Sequence, residues 1–446
     1  MAGDIFSIYL NDKDRASDYY EKVLSDFPHS EYCDDALYNL AMISLGEGKI
    51  EKGRGCLEEL VARYPDSPRH STARFFLTRI RRNTDVSFAR EAKFKFEERP
   101  IRVLLDRRRG AVELKFEDAF RIIDCSSGAF LAGRSAGARF SFSVARGGSL
   151  ILMDRDLGTQ CVDIKHSESG SFNYKSRRYR GDLRLIASKG IIKVINIVPV
   201  EEYICGVVPG EMPSSWPADA LRAQAIVART YAIYQMDKRK GKEFDLYSTT
   251  ASQVYKGASG ENSRVTSAVN STRGLIVFYD GKPALTYFHS NSGGEIEDDK
   301  YVWSTDLPYL AQRNDPYSAK SPTASWNISV DERKVSMAVD AGRALKECSV
   351  VRRSPSGRVE LLELRFGSQR ERVKGSKLRK ALGPGVIKST LFDVSFENGK
   401  LIFAGRGFGH GVGLSQWGAR EMAAEGFDFR RIISFYYPGT EIRKVY

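Results

Sequence analysis

Between residues 14 and 82, hydrophobic positions recur at helical spacing, and the spacing repeats. "YYEKVLSDFPHSEYCDDALYNLA" (19–41) aligns with "CLEELVARYPDSPRHSTARFFLT" (56–78) at an offset of 37 residues. Phe27-Pro28 matches Tyr64-Pro65, Ser30 matches Ser67, Ala36 matches Ala73 and Leu40 matches Leu77. An aromatic-Pro pair stops one helix, Ser or Asp caps the next, and Ala lets paired helices approach closely. The period is close to the roughly 34 residues of tetratricopeptide-type helix–turn–helix arrays, which usually bind other proteins. Two repeats are fewer than such arrays need, so the module must lean on the rest of the chain or on a partner.

From Ile101 the texture changes. "IRVLLD", "GAVELKF", "FRIID", "ARFSFSVAR", "SLILM", "RRYRGDLRLIAS" and "GIIKVINIVPV" are short alternating runs broken by Gly and Ser, which predicts a β-rich region with many turns. The stretch 218–241, "ADALRAQAIVARTYAIYQMDKRKG", predicts a helix with Ser214 or Ser215 as cap, Pro217 in its first turn and basic residues in its last. Further helices are expected at "SRVTSAVNSTRG", "LSQWGAREMAAEG" and "FRRIISFYYPG", and strands at "LIVFYD" and "PALTYFHS". The expected class is α+β: a mixed β-rich and helical catalytic domain preceded by a small all-α helical-repeat module. Expected boundaries are 1–84 for the repeats, 85–100 for a charged linker, 101–194 for the β-rich part and 195–446 for the catalytic part.

Charge sharpens this division. Residues 1–85 hold 12 Lys and Arg against 15 Asp and Glu, whereas the whole chain carries +13, so the remainder carries +16. A basic body suits a polyanion such as nucleic acid, anionic lipid or a cell-wall polymer, or serves solubility alone. Its basic residues are scattered and match no nucleic-acid-binding motif, so no specific nucleic-acid partner is expected. Six cysteines without C-x-x-C spacing argue against a disulfide framework or a zinc finger. Cys125 and Cys161 could bridge, and the sequence leaves that open. No apolar run reaches the roughly 18–20 residues that cross a bilayer. The first residues lack a basic segment followed by an apolar one, so either the protein is cytoplasmic or a leader is missing.

Four segments are too polar and glycine-dense for plain scaffolding: "VPGEMPSSWP" with the helix after it, "TTASQVYKG", "FHSNSGGEIED" and "GRGFGHGVGLSQWGA". Glu211 is the one carboxylate in "VPGEMPSSWP". It lies among Val207, Val208, Pro209, Met212 and Pro213, with no Lys or Arg within ten residues either side. It is either a catalytic acid or a turn residue before the helix. His289 and His410 each sit in a Gly/Ser-dense block, as site residues or as satisfied structural ones. Ser290 or Ser292 with His410 could form a nucleophile pair, but no G-x-S-x-G elbow supports it.

"VPVEEYICGVVPGEMPSSWPADALRAQAIVARTYA", "SQVYKG", "FHSNSGG" and "GHGVGLSQWGA" together resemble the sporulation stage II protein D (SpoIID/LytB) family, and they stand in the family's order. The core of the resemblance covers about 195–310, with the last block near 405–439. It implies action on bacterial peptidoglycan: founding members resemble lytic transglycosylases that cut glycan strands freed of stem peptides, and others are described as amidase enhancers. It maps the acid/base to Glu211. A hydrolytic glycosidase needs two carboxylates, whereas a transglycosylase can use one, provided apolar neighbours raise its pKa. Arg222, Gln224, Ser252, Gln253, Tyr255, His289, Ser290, Ser292, His410 and Gln416 then become candidate substrate-binding residues. Arg229 and Tyr231 lie further along the helix, with Arg229 either lining a groove or forming an ion pair. Trp216, Trp303 and Trp417 are candidates for stacking on sugar or for the core. Some family members hold zinc through a His and cysteines near the "FHS" block. Here Ser290, Asn291 and Ser292 stand there, so neither a metal nor a cofactor is expected. The expected partners are glycan strands and an amidase or other envelope protein held by the repeats. The expected place is the periplasm or cell envelope.

Overall fold

Among the described residues, the helical spacing of the first segment produces four helices: α1 (Lys13–Asp26), α2 (Cys33–Gly46), α3 (Ile50–Arg63) and α4 (His70–Arg81). The structure is a computed structural model that describes residues 13–81 without 31, 66 and 68, residue 96, and 99–446 without 135, 136, 138, 167–169, 304, 323 and 340. Most of the expected linker at 85–100 thus lies outside the described residues. The chain divides into two compact units, formed by the described parts of 1–93, 277–282 and 286–443, and of 94–276, 283–285 and 444–446.

In the first unit, Leu37, Ala41 and Leu45 of α2 pack with Leu57 and Leu60 of α3 and with Ala73, Phe76 and Leu77 of α4. Ala36 and Ala73, the matched small residues, are both buried. Tyr32 is the cap position of helix α2 and provides no side-chain cap, so Ser30 does not cap it as expected. Instead Ser67 donates to Asp34 at 2.6 Å, tying the two repeats together. The expected support from outside the repeats is an ion-pair clasp. Arg431, on the helix Phe429–Tyr436, reaches Asp34 at 3.1 Å and Asp35 at 3.2 Å, and Arg69 pairs with Asp35 at 2.9 Å.

The same unit holds strand Phe288–His289, parallel to Leu414–Ser415, which joins two of the sequence blocks. "PALTYFHS" is therefore mostly loop, with only short strands at its ends. Between these blocks, 325–406 forms two three-stranded sheets. Its core includes Trp326, Leu362, Leu364, Leu378 and Phe403.

The second unit carries the β-rich region. Its strands are β1 (Ile101–Arg109), β2 (Val112–Phe116), β3 (Phe120–Asp124), β4 (Phe130–Arg134), β5 (Arg139–Val144), β6 (Leu150–Leu152), β7 (Arg155–Asp156), β8 (Cys161–His166), β9 (Ser171–Tyr174), β10 (Arg177–Arg180), β11 (Asp182–Ser188), β12 (Ile191–Val198) and β13 (Leu246–Tyr247). One sheet has the order β13-β1-β12-β11-β8-β3-β4 and the other β10-β9-β2-β5-β6-β7. The alternation read from sequence is the burial pattern: Leu183, Leu185 and Ala187 of β11 point inward, with the half-buried Arg184 and Ile186 between them. A disulfide joins Cys125, at the end of β3, to Cys161, at the start of β8. The sequence permitted this bridge and did not specify it.

The boundary expected at 194/195 falls inside β12, whose Ile195, Asn196 and Ile197 pair with both β1 and β11. The chain then forms α5 (Val200–Glu211), α6 (Ala218–Lys238) and, after β13, α7 (Ser263–Ser271) in the same unit. Pro217 is itself the cap position of α6, and no side chain caps that end, so the cap expected from Ser214 or Ser215 is absent. Asn262 caps α7 by accepting from the Arg264 amide at 3.0 Å.

Candidate functional site

Glu211 is the last residue of α5, not a turn residue in a loop. Sequence reading missed this helix because Gly206, Pro209 and Gly210 look like breakers. Pro199 at its start and Glu201 and Glu202 in its first turn were the available signals. The glycines have a packing reason. A Cβ on Gly206 would lie 2.6 Å from the Tyr255 ring, and one on Gly210 would lie 2.4 Å from the Val254 carbonyl oxygen. Their absence lets the segment 253–257 run directly against α5. The Lys256 amide then bonds the Gly206 carbonyl at 3.0 Å, and the Val254 amide donates to Glu211 Oε1 at 2.7 Å. Glu211 is half-buried and its neighbour Met212 is buried. The sequence neighbourhood held no cation, but the fold supplies one: Lys256 Nζ donates to the Pro209 carbonyl at 3.0 Å.

Several candidates from the same unit prove to be scaffold. Tyr255 is buried, its ring packs against Tyr203 and Tyr179, and its hydroxyl donates to Asn196 at 2.9 Å. It is no platform for a sugar. Gln253 is buried, accepting from Tyr203 at 3.0 Å and donating to the Ala228 carbonyl at 3.2 Å. Gln224 is fully buried, and neither polar atom of its amide has a hydrogen-bond partner. The cause is that α6 is buried on nearly all sides, so it has no open face to line a groove. Arg229 resolves as an ion pair, donating to both Glu201 oxygens at 2.8 and 2.7 Å and to the carbonyl of Leu275 at 3.1 Å. Burial pushes the Glu201 carboxyl up, but the charge and hydrogen bonds of Arg229, with the Tyr446 hydroxyl and Gly274 amide, hold it below its ordinary value. Arg222 is half-exposed and holds Asp219 at 3.2 Å and Ser271 at 3.3 Å. Ser252 is half-buried and accepts from the Tyr247 amide at 3.2 Å.

The other unit gathers His289, Ser290, Ser292, His410 and Gln416. The imidazole rings of His289 and His410 lie 5.4 Å apart. His410 Nδ1 accepts from the Val412 amide at 3.1 Å, so its Nε2 carries the proton donated to the Phe288 carbonyl at 3.0 Å. Burial lowers its pKa to about 4, with Arg379 and Arg358 adding to the effect. His289 donates from Nδ1 to the Val412 carbonyl at 3.1 Å, which leaves Nε2 as a lone pair without a hydrogen-bond partner. Burial, then His410 and Arg358, push its pKa well below the ordinary value. Both rings are therefore neutral near neutral pH. Trp303 stacks on Tyr287 at 4.0 Å and meets the His410 ring edge-on at 5.0 Å.

Ser292 is buried and donates to Asp315 at 2.7 Å, and both His410 nitrogens are taken by backbone. The Ser/His nucleophile reading fails on these contacts. Ser290 is half-buried, and its carbonyl accepts from the Trp417 amide at 3.0 Å. Gln416 is a buried residue in the first turn of the helix Gln416–Ala424, which Ser415 caps. Sequence reading missed Arg358, which reaches from the 325–406 segment to the Ser292 and Glu295 carbonyls, both at 2.7 Å. Gly411 makes room for it, since a Cβ there would lie 2.4 Å from the guanidinium. Among the described residues, Asp298, Asp299 and Asp306 approach closely enough to share a cation. However, Asp298 already pairs with Lys300 at 2.8 Å, and Asp299 accepts from the Leu307 amide at 3.1 Å.

Comparison with known proteins defines the class first. Residues 188–279 match the family described as "Stage II sporulation protein", residues 35–67 match "Tetratricopeptide repeat", and residues 325–413 match a domain of unknown function. The chain is 32% identical over 292 residues to an uncharacterized protein of Brachyspira hyodysenteriae, covering 64% of this chain and 78% of that one. It is 33% identical over 266 residues to Stage II sporulation protein D of Bacillus subtilis, covering 55% of this chain and 74% of that one. An amidase enhancer of Bacillus subtilis is 29% identical over 289 residues, covering 53% of this chain and 40% of the enhancer. The chain belongs to the stage II sporulation protein D family.

Proposed function

We propose that the protein cleaves peptidoglycan glycan strands as a lytic transglycosylase with Glu211 as its acid/base. The observation that carries this reading is the position of Glu211: a half-buried carboxylate at the end of α5, oriented by the Val254 amide at 2.7 Å. In the reaction, the Glu211 carboxyl gives its proton to the glycosidic oxygen as the bond to C1 breaks. The resulting carboxylate then takes the proton of the muramic acid C6 hydroxyl, whose oxygen bonds to C1. One 1,6-anhydro end and one free 4-hydroxyl result, and no water is consumed. A single carboxylate suffices because the C6 hydroxyl replaces the water that a second carboxylate would activate. The cell envelope is the place such a substrate requires.

The test is incubation with strands stripped of stem peptides, followed by mass spectrometry. Anhydro-muropeptides from the wild type and none from Glu211→Gln support the reading, and full activity in that variant sinks it.

The similarity to an amidase enhancer favours a second reading, a non-catalytic glycan-binding protein that recruits or stimulates an amidase. The repeats would supply the protein contact, and Phe27 and Tyr32 are exposed on them. Strand binding that survives Glu211→Gln, with no cleavage by the wild type, distinguishes it.

A further inference from the structure

The segment 325–406 has a charge that the fold does not need. It contains 17 Lys and Arg against 9 Asp and Glu, a net +8 out of the +13 of the whole chain. Its arginines are largely spoken for. Arg352 pairs with Glu360 at 2.6 Å, Arg353 with Asp393 at 2.6 Å, Arg365 with Glu347 at 2.8 Å and Arg370 with Glu363 at 2.8 Å. These pairs engage Glu347, Glu360, Glu363 and Asp393, and none of them takes up the lysines of the segment.

Three of them stand together. Lys374 precedes the helix Gly375–Leu382, and Lys377 and Lys380 lie on it. The spacing of three makes Lys377 and Lys380 neighbours on the exposed surface of the helix, with Lys374 at its N-terminal end, while Leu378 is buried. All three are exposed, and none pairs with a carboxylate among the described residues. Arg379 ties this helix to the Gly-His-Gly block. It donates to the Lys388 carbonyl at 3.0 and 3.2 Å, and the same oxygen accepts from the Gly409 amide at 2.9 Å. The lysine face is thus braced against the residue next to His410.

We propose that Lys374, Lys377 and Lys380 form a binding surface for a carboxylate-bearing glycan strand, held next to the Gly409–His410 loop. The choice of a glycan rests on the proposed function. The chemistry fits it, because removal of a stem peptide uncovers one lactyl carboxylate on each muramic acid. Separated ammonium point charges suit separated carboxylates along a strand, and the DNA and vesicle titrations below distinguish phosphate-bearing partners. Single-stranded nucleic acid would call for aromatic rings among the cations, and Lys374, Lys377 and Lys380 are interleaved with Gly375, Ser376, Leu378 and Arg379 only.

The experiment measures binding, so its outcome stands apart from cleavage. The whole chain carrying Glu211→Gln is titrated against sacculi stripped of stem peptides. Parallel titrations use the same sacculi with carboxyls converted to neutral amides, uncharged chitin, duplex DNA and anionic phospholipid vesicles. The expected result is salt-sensitive binding to stripped sacculi that falls about tenfold in Lys374→Gln/Lys377→Gln/Lys380→Gln, the scale of three exposed ion pairs. The triple arginine variant should retain it. Unchanged binding by the triple Gln variant, or equal binding to amide-blocked sacculi or chitin, overturns the proposal. Tighter binding to DNA or vesicles than to stripped sacculi overturns the glycan assignment. A wild type that yields no anhydro ends defeats the transglycosylase reading and leaves the binding result to decide this one.

Discussion

The backbone amide of Val254 donates to the side chain of Glu211 at 2.7 Å, although 43 residues separate the two in sequence. This bond sets the direction of the carboxylate that ends α5. Glutamine at 211 retains an oxygen that can accept it, but it cannot carry a transferable proton. Glu211→Gln should therefore keep the fold and lose about 10²–10⁴-fold in rate, the usual contribution of a general acid/base. Release of anhydro-muropeptides, compared with an unshifted melting transition, checks it.

Gly210 makes that bond geometrically available. A side chain there would press on the Val254 carbonyl oxygen, so Gly210→Val should push the 253–257 segment off α5. The expected cost is about 1–3 kcal/mol of stability, together with loss of cleavage. Urea denaturation gives the first and product analysis the second.

The Glu201–Arg229 pair should be structural and sensitive to acid. Because the folded-state pKa of Glu201 is depressed, the stability it contributes is present above its ordinary value of 4.5 and is lost as pH falls through the folded value. Arg229→Met strands a buried carboxylate and should cost about 3–5 kcal/mol at neutral pH, with Glu201→Gln/Arg229→Met recovering part of it. Denaturation of both variants at pH 7 decides this.

His410 predicts a second acid limb at higher pH. Its folded pKa of about 4 lies below the ordinary 6.5, so the folded state resists a proton that the unfolded chain accepts. The group's contribution is complete above 6.5 and is lost as pH falls toward 4, by up to about 3 kcal/mol. His410→Gln should flatten the stability profile between pH 7 and 5, and an unchanged slope would contradict the assignment.

The clasp between Arg431 and Asp34 should hold the repeats in place. Arg431→Ala should speed amide exchange in α2 while leaving β1–β12 protected. A double-mutant cycle with Asp34→Ala should give a coupling of about 1–3 kcal/mol.

Much of this molecule was legible from residue type and local spacing. Matched alanines marked the close helix pairs, alternation marked most strands, and the glycine-dense blocks marked the two places where backbone segments meet closely. The lone carboxylate in its apolar stretch was visible as well. Helix α5 was not, because Gly206, Pro209 and Gly210 locally disfavour a helix and are tolerated only through packing against 253–257.

The sequence by itself determined the family blocks, the helical repeat, the β-rich texture and the identity of Glu211. Only the tertiary structure decided which polar residues could face a ligand. Tyr255, Gln253 and Gln224 share the composition of a binding surface, yet all three are buried. Lys256 is remote from Glu211 in sequence, yet it caps the end of the same helix. The physical reason is that local spacing sets which face of an element a residue occupies, whereas long-range packing sets what that face meets.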